Sequence, residues 1–191
     1  VISYIIELLA AIPSIVYGVF GAGVITQFVK NISTFFGYHS AGGVSVLSTV
    51  LVLATMIMPT ITMLSVTSIN AVHDDIIHGS LALGASTTQT NFKVVLVSAK
   101  SGIFSGIILG VGRALGEATA ISMVIGNAGN GPTFNLFDTS RTLTSTMLMG
   151  LKETTGLDYD IRFSVGIVLI LIILITNVIL NYIKSKIGRL S

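Results

Sequence analysis

The 191-residue sequence has no cysteine, three prolines, and only 9% charged residues, against about a quarter in an ordinary soluble domain. Without cysteine there is no disulfide framework, no thiolate metal site and no cysteine nucleophile, and the redox compartment is left open. So little charge cannot coat a water-soluble globule. Ten Lys and Arg stand among eight Asp and Glu, for a formal net charge of +2. They make neither a basic stripe nor an aromatic platform, so nucleic acid is not an expected partner. A charged amino-terminal stretch and a cleavage site are also lacking, and the chain opens on Val1. These absences lead to the expectation of an internal part of a longer protein, not a precursor with a signal peptide. No Ser/His/Asp constellation, phosphate-cradling glycine loop or pair of catalytic carboxylates stands out, so no enzyme active site is expected.

What is present is apolar: 52% of residues are hydrophobic and the mean hydropathy is +0.92. A helix rises about 1.5 Å per residue, so crossing about 30 Å of hydrocarbon takes roughly 20 apolar residues. Four segments qualify, at about Ser14 to Val29, Val44 to Val66, Gly102 to Ile125 and Phe163 to Ile183. The first is preceded by an apolar stretch, Ile2 to Ile12, that carries Glu7; Pro13 between them marks a helix start. The second lacks any ionisable group and carries Pro59, where a kink is expected. From about Asn70 to Lys100 the chain is too polar for a span and too apolar for a linker. From Asn127 to Arg162 it opens as a turn-rich loop (Asn127, Gly129, Asn130, Gly131, Pro132), and Ser140 to Thr155 is a candidate short helix. There is no soluble domain, low-complexity tract or internal repeat, so residues 1–191 read as one membrane domain. Five basic residues fall on one side (Lys93, Lys100, Lys184, Lys186, Arg189) and four on the other (Lys30, Arg141, Lys152, Arg162), a small bias placing the first set in the cytoplasm.

Arg113 and Glu117 are the ionisable residues of the third segment, and Arg113 is expected near mid-bilayer. Each would cost about 2.5 to 3.5 kcal/mol at a helix centre if unpaired and facing lipid. Spaced i, i+4, they are expected to share a helical face and to pair. They either line an anion pathway, where a guanidinium offers forked donors, or form an ion pair that fixes helix packing. Gly102, Gly106, Gly110, Gly112 and Gly116 on the same segment admit a neighbouring backbone closely, with a hinge or pore-lining role as the alternative. His73, Asp74, Asp75 and His78 superficially suggest a metal site. Five is the wrong spacing for one helical face, so a solvated loop or helix start is expected and no metal is assigned.

Ser80-Leu81-Ala82-Leu83-Gly84-Ala85-Ser86, followed by Val94-Val95-Leu96, resembles the cytoplasmic coupling loop of ABC importer permeases, a helix-turn-helix that docks on the ATPase subunit. That family's Glu-Ala-Ala falls on His78-Gly79-Ser80 here, and its later proline on Val97; the coupling residues by this likeness are His78, Gly79, Ser80, Ala82, Gly84 and Ala85. Gly112-Arg113-Ala114-Leu115-Gly116-Glu117 looks like the signature of the phosphate-type permeases. Glu7-Leu8-Leu9-Ala10-Ala11-Ile12-Pro13-Ser14-Ile15-Val16-Tyr17-Gly18 and Arg141-Thr142-Leu143-Thr144 are similar to runs of the PstC family. The resemblance implies an all-α, polytopic transmembrane helical bundle, the type I ABC importer permease (MetI-like) core, with about two spans of a six-span family missing before Val1. It also implies a coupling loop at about 70–100 in the cytoplasm, Arg113 and Glu117 in the anion pathway, and residence in the bacterial inner membrane. The implied partners are an ATP-binding subunit (PstB-like), a second permease (PstA-like), an extracytoplasmic phosphate-binding protein (PstS-like), inorganic phosphate and the lipid bilayer. ATP would be used by the partner subunit, and the chain itself would need no cofactor. Other readings are a permease for sulfate, molybdate or another oxyanion, the sister subunit PstA, an ATP-independent anion channel or carrier, and a structural scaffold.

Overall fold

The computed structural model describes residues 2–38, 40–129, 131, 133–150 and 153–188. Lys152 and Arg189 of the charge count, and Asn130 and Pro132 of the loop opening, lie outside the described residues. Among those described, regular structure is helical: α1 (Ile2–Ala11), α2 (Ser14–Phe35), α3 (Val46–Asn70), α4 (Asp74–Ala82), α5 (Thr87–Gly116), α6 (Thr119–Val124), α7 (Leu143–Leu148) and α8 (Leu157–Gly188). Helices α2, α3, α5 and α8 are long and apolar enough to cross a membrane. α2 and α5 each contain one π-helical turn, at Gly21–Ile25 and Asn91–Val95.

Boundaries differ from the sequence-based expectation: α3 is Val46–Asn70 rather than Val44 to Val66, α8 is Leu157–Gly188 rather than Phe163 to Ile183, and the ends of α2 and α5 move as follows. Pro13 precedes α2, which starts at Ser14, and α2 continues past Val29 to Phe35. α5 begins at Thr87 rather than Gly102, because the Ser86 side chain accepts from the Gln89 N–H while Gln89 accepts from the Ser86 N–H, a capping box. The polar first turns of α5 hide that start from a reading based on apolar runs. The third expected crossing also does not run through to Ile125: α5 stops at Gly116, and Glu117 turns extended at φ −74°, ψ 123° before α6 begins.

Packing follows the small residues. Gly106 and Gly110 lie against α3: a Cβ at Gly106 would sit 3.0 Å from Leu64 Cβ, and one at Gly110 would sit 2.7 Å from Ile61 Cγ1. Gly102 faces Ser68 of α3 even more closely. α2 meets α6 in the same way, since a Cβ at Gly18 would lie 2.9 Å from Ala120 Cα. The core formed there is Tyr17, Val52, Met56, Ala120 and Val124, so α6 packs along α2 and α3 beyond the end of α5.

The described residues around Leu136 and Asp138 return to the amino-terminal end of α3. The Ser45 N–H donates to the Val124 carbonyl (3.0 Å), Val46 to Asp138 (3.0 Å) and Leu47 to Leu136 (2.8 Å), which satisfies donors a helix start leaves open. The expected short helix in Ser140 to Thr155 is α7, capped by a Thr142–Ser145 box. Arg162, in α8, donates to the carbonyls of Thr146 and Met149 at the end of α7, a favourable place for a cation. Most large apolar side chains of α8 are exposed, as a lipid-facing helix requires.

Candidate functional site

Arg113 occupies the last turn of α5, where a cation complements the helix dipole. Its Nη1 donates to Thr60 Oγ1 at 3.1 Å. Thr60 is buried, follows Pro59, and sits about 21 Å from the Val46 end of α3 and about 15 Å from its Asn70 end, at 1.5 Å per residue. The Arg113 guanidinium therefore lies level with the middle of α3, although Arg113 is near the end of its own helix; α5 reaches further on the α4 side and stops at Gly116.

Glu117 does not pair with Arg113. The helix has ended at Gly116, so the extended backbone carries the carboxylate off the helical face, and its Oε1 accepts the Ala120 N–H at 2.9 Å. Among the described residues no ion pair joins the two side chains, and the expected i, i+4 pair is replaced by two separate partners. Arg113 and Glu117, both half-buried, flank the break between α5 and α6. Irregular backbone within a membrane is tolerated where it is buried in protein or lines a watery cavity, and half-helix ends are where transporters build ion sites.

The sequence alone does not single out Thr60. The hydroxyls around it on α3 (Thr55, Thr62, Ser65, Thr67, Ser68) donate to carbonyls of their own helix, whereas Thr60 receives the guanidinium. A hydroxyl beside Pro59 in a span with no charge is the available signal. Pro59 itself lies inside the unbroken α3.

Gly102, Gly106 and Gly110 sit at the contact with α3 described above, but a Cβ added at Gly112 or Gly116 would meet nothing within 4 Å. These two are not part of that packing stripe: two residues turn a helix by about 200°, so Gly112 faces away from Gly110.

The other sequence-predicted group forms a helical hairpin at the far end of α3 and α5. α4 begins at Asp74 and Asp75, where acids suit a helix start, and none of its side chains is buried. His78, Gly79 and Ala82 are exposed, Ser80 and Ala85 half-buried. Ser80 Oγ and Thr90 Oγ1 are 3.0 Å apart and tie α4 to the start of α5. Gly84 makes the turn at φ +85°, a conformation that costs glycine little. Beside it Leu83 is 91% exposed, an apolar side chain at the tip of a projecting hairpin.

At the opposite end of α3, a cavity of about 680 Å³ is lined by Thr49, Ser140, Arg141 and Thr142 among others. The Arg141 Nε and Nη2 both donate to the Asn127 carbonyl, at 3.2 and 2.7 Å, so that guanidinium fastens the loop.

The family model described as binding-protein-dependent transport system inner membrane component matches residues 1–189. The chain belongs to this family. Similar relatives include the probable ABC transporter permease protein YqgH of Bacillus subtilis, 35% identical over 97% of this chain and 59% of its own length. The phosphate transport system permease protein PstC of Pasteurella multocida is 34% identical, over 96% of this chain and 63% of its own. The probable phosphate transport system permease protein PstC of Methanocaldococcus jannaschii is 31% identical, over 93% and 60%. The chain thus spans 59% to 63% of the length of these relatives. No solved structure matches it. Family membership and four apolar helices make it a multi-pass protein of the cell membrane, with the all-helical fold of this permease family.

Proposed function

We propose that this chain is the permease subunit of an ATP-driven phosphate importer and forms part of the translocation pathway by alternating access. The observation that carries the reading is the guanidinium of Arg113, held level with the middle of α3 by a neutral hydroxyl beside the break between α5 and α6. A cation whose partner is neutral keeps its charge available to an anion, and the forked donors of arginine suit an oxyanion. Phosphate is the anion favoured, because PstC proteins are similar along nearly the whole chain.

In this reading the α4 hairpin, with His78, Gly79, Ser80, Ala82, Gly84 and Ala85, docks on a separate ATP-binding subunit. Leu83 at its tip supplies apolar contact area. Because α3 and α5 both run into that hairpin, its movement on ATP binding would reach the Thr60–Arg113 level through two packed helices. A second permease subunit completes the pathway, an extracytoplasmic binding protein delivers phosphate, and ATP is hydrolysed on the partner.

Replacing Arg113 by Gln in the complete transporter tests the reading. Uptake of labelled phosphate should fall about tenfold or more, the scale of a lost charge-assisted hydrogen bond, while the subunits still co-purify. Normal uptake would remove Arg113 from the pathway.

A further inference from the structure

Two features of the Arg113 site point beyond the charge itself. Among the described residues the guanidinium has one hydrogen-bond partner, Thr60 Oγ1, although it carries several N–H donors. That partner is buried on the neighbouring helix and rigidly placed, since α3 is pinned to α5 along Gly102, Gly106 and Gly110. A long, rotamer-rich side chain anchored at one nitrogen loses most of its freedom, and its other donors are left pointing from a fixed origin. Preorganised donors of this kind bind a passing anion without the entropic cost of first ordering the side chain.

We propose that Thr60 is a positioning residue for transport: its hydroxyl holds the Arg113 guanidinium level with the break between α5 and α6, leaving the remaining N–H groups to receive the oxyanion. This rests on the reading of Arg113 as part of the pathway. Carboxylate partners would neutralise the cation and compete with substrate, whereas a hydroxyl orients it and leaves its charge intact. The bond also joins the two helices that lead to the α4 hairpin, so movement of the hairpin carries Thr60 and Arg113 together.

The test uses the complete transporter in proteoliposomes with its binding protein, and reads labelled phosphate taken up per ATP hydrolysed. Thr60→Val removes the acceptor at nearly constant shape, and Thr60→Ser keeps it. The Val variant should lose about tenfold in uptake per ATP, and the Ser variant should stay within about twofold of the parent. Unchanged uptake per ATP in Thr60→Val would overturn the proposal, as would equal losses in both variants, which is the signature of packing. Should Thr60→Val fail to assemble, Thr60→Ala takes its place; failure of both to co-purify with the partner subunits would assign Thr60 to folding and also overturn it. Arg113→Gln run alongside separates the two readings: if it is impaired while Thr60→Val is normal, only the positioning role falls, and if it transports normally both fall.

Discussion

At the scale of single residues, Leu9 shows how the fold repairs what proline removes. Pro13, four residues on, has no N–H to offer the Leu9 carbonyl. The buried Tyr17 hydroxyl donates to that carbonyl at 2.8 Å, alongside a longer contact of 3.3 Å from the Ile12 N–H. Tyr17 thereby links α2 to the end of α1 while its ring fills the core. Tyr17→Phe keeps the ring and removes the bond, so thermal unfolding in detergent should show a loss of about 1 kcal/mol. An unchanged midpoint would mean that Ile12 alone satisfies the carbonyl. Pro13 was legible as a helix start, and Arg113 as a charge within an apolar helix, because both follow from local chemistry. The partners of Arg113, Glu117, Arg141 and Arg162 were not legible, since each is settled by which backbone or hydroxyl the fold brings near.

At the scale of elements, α5 and α3 are one packing unit written in glycine. Gly102, Gly106 and Gly110 meet α3 at their four-residue spacing, whereas Gly112 and Gly116 leave that spacing and meet no neighbour within this chain. Gly106→Val should push α5 away from Leu64 and the Ile61 carbonyl, costing about 1 to 3 kcal/mol of stability. Gly112→Ala, with open space beside it, should be neutral or gain up to about 1 kcal/mol from helix propensity. Melting the two purified variants in parallel checks this, and equal destabilisation would contradict the assignment of the face. The break after Gly116 was hidden by composition: residues 118–125 are as apolar as those before Arg113, so a hydropathy reading joins α5 and α6. The signals for a break, Gly116 followed by a carboxylate able to cap the next turn, were present but not decisive without the backbone.

At the scale of the whole molecule, four helices among the described residues are long and apolar enough to cross, and one of them, α5, is followed after a break at Glu117 by the short α6. Long apolar runs located α3 and α8, missing four residues at the end of α3 and the polar first turns of α8, and the same signal matches the four candidate spans among the described residues. The α4 hairpin needed more than hydropathy, because its residues are neither apolar enough for a span nor polar enough for a loop; only the likeness to coupling loops suggested its form. The central claim is that the break between α5 and α6 borders an aqueous anion route. The lack of any native cysteine makes this directly measurable, since a single introduced thiol has no background in this chain. Gly116→Cys places one at the break, in open space, and Leu109→Cys places one on the outer, exposed side of α5. In the complete transporter a charged, membrane-impermeant methanethiosulfonate should modify the thiol at 116, more slowly with saturating phosphate, and spare the one at 109. Failure to modify the thiol at 116, or modification that phosphate does not slow, would contradict the account.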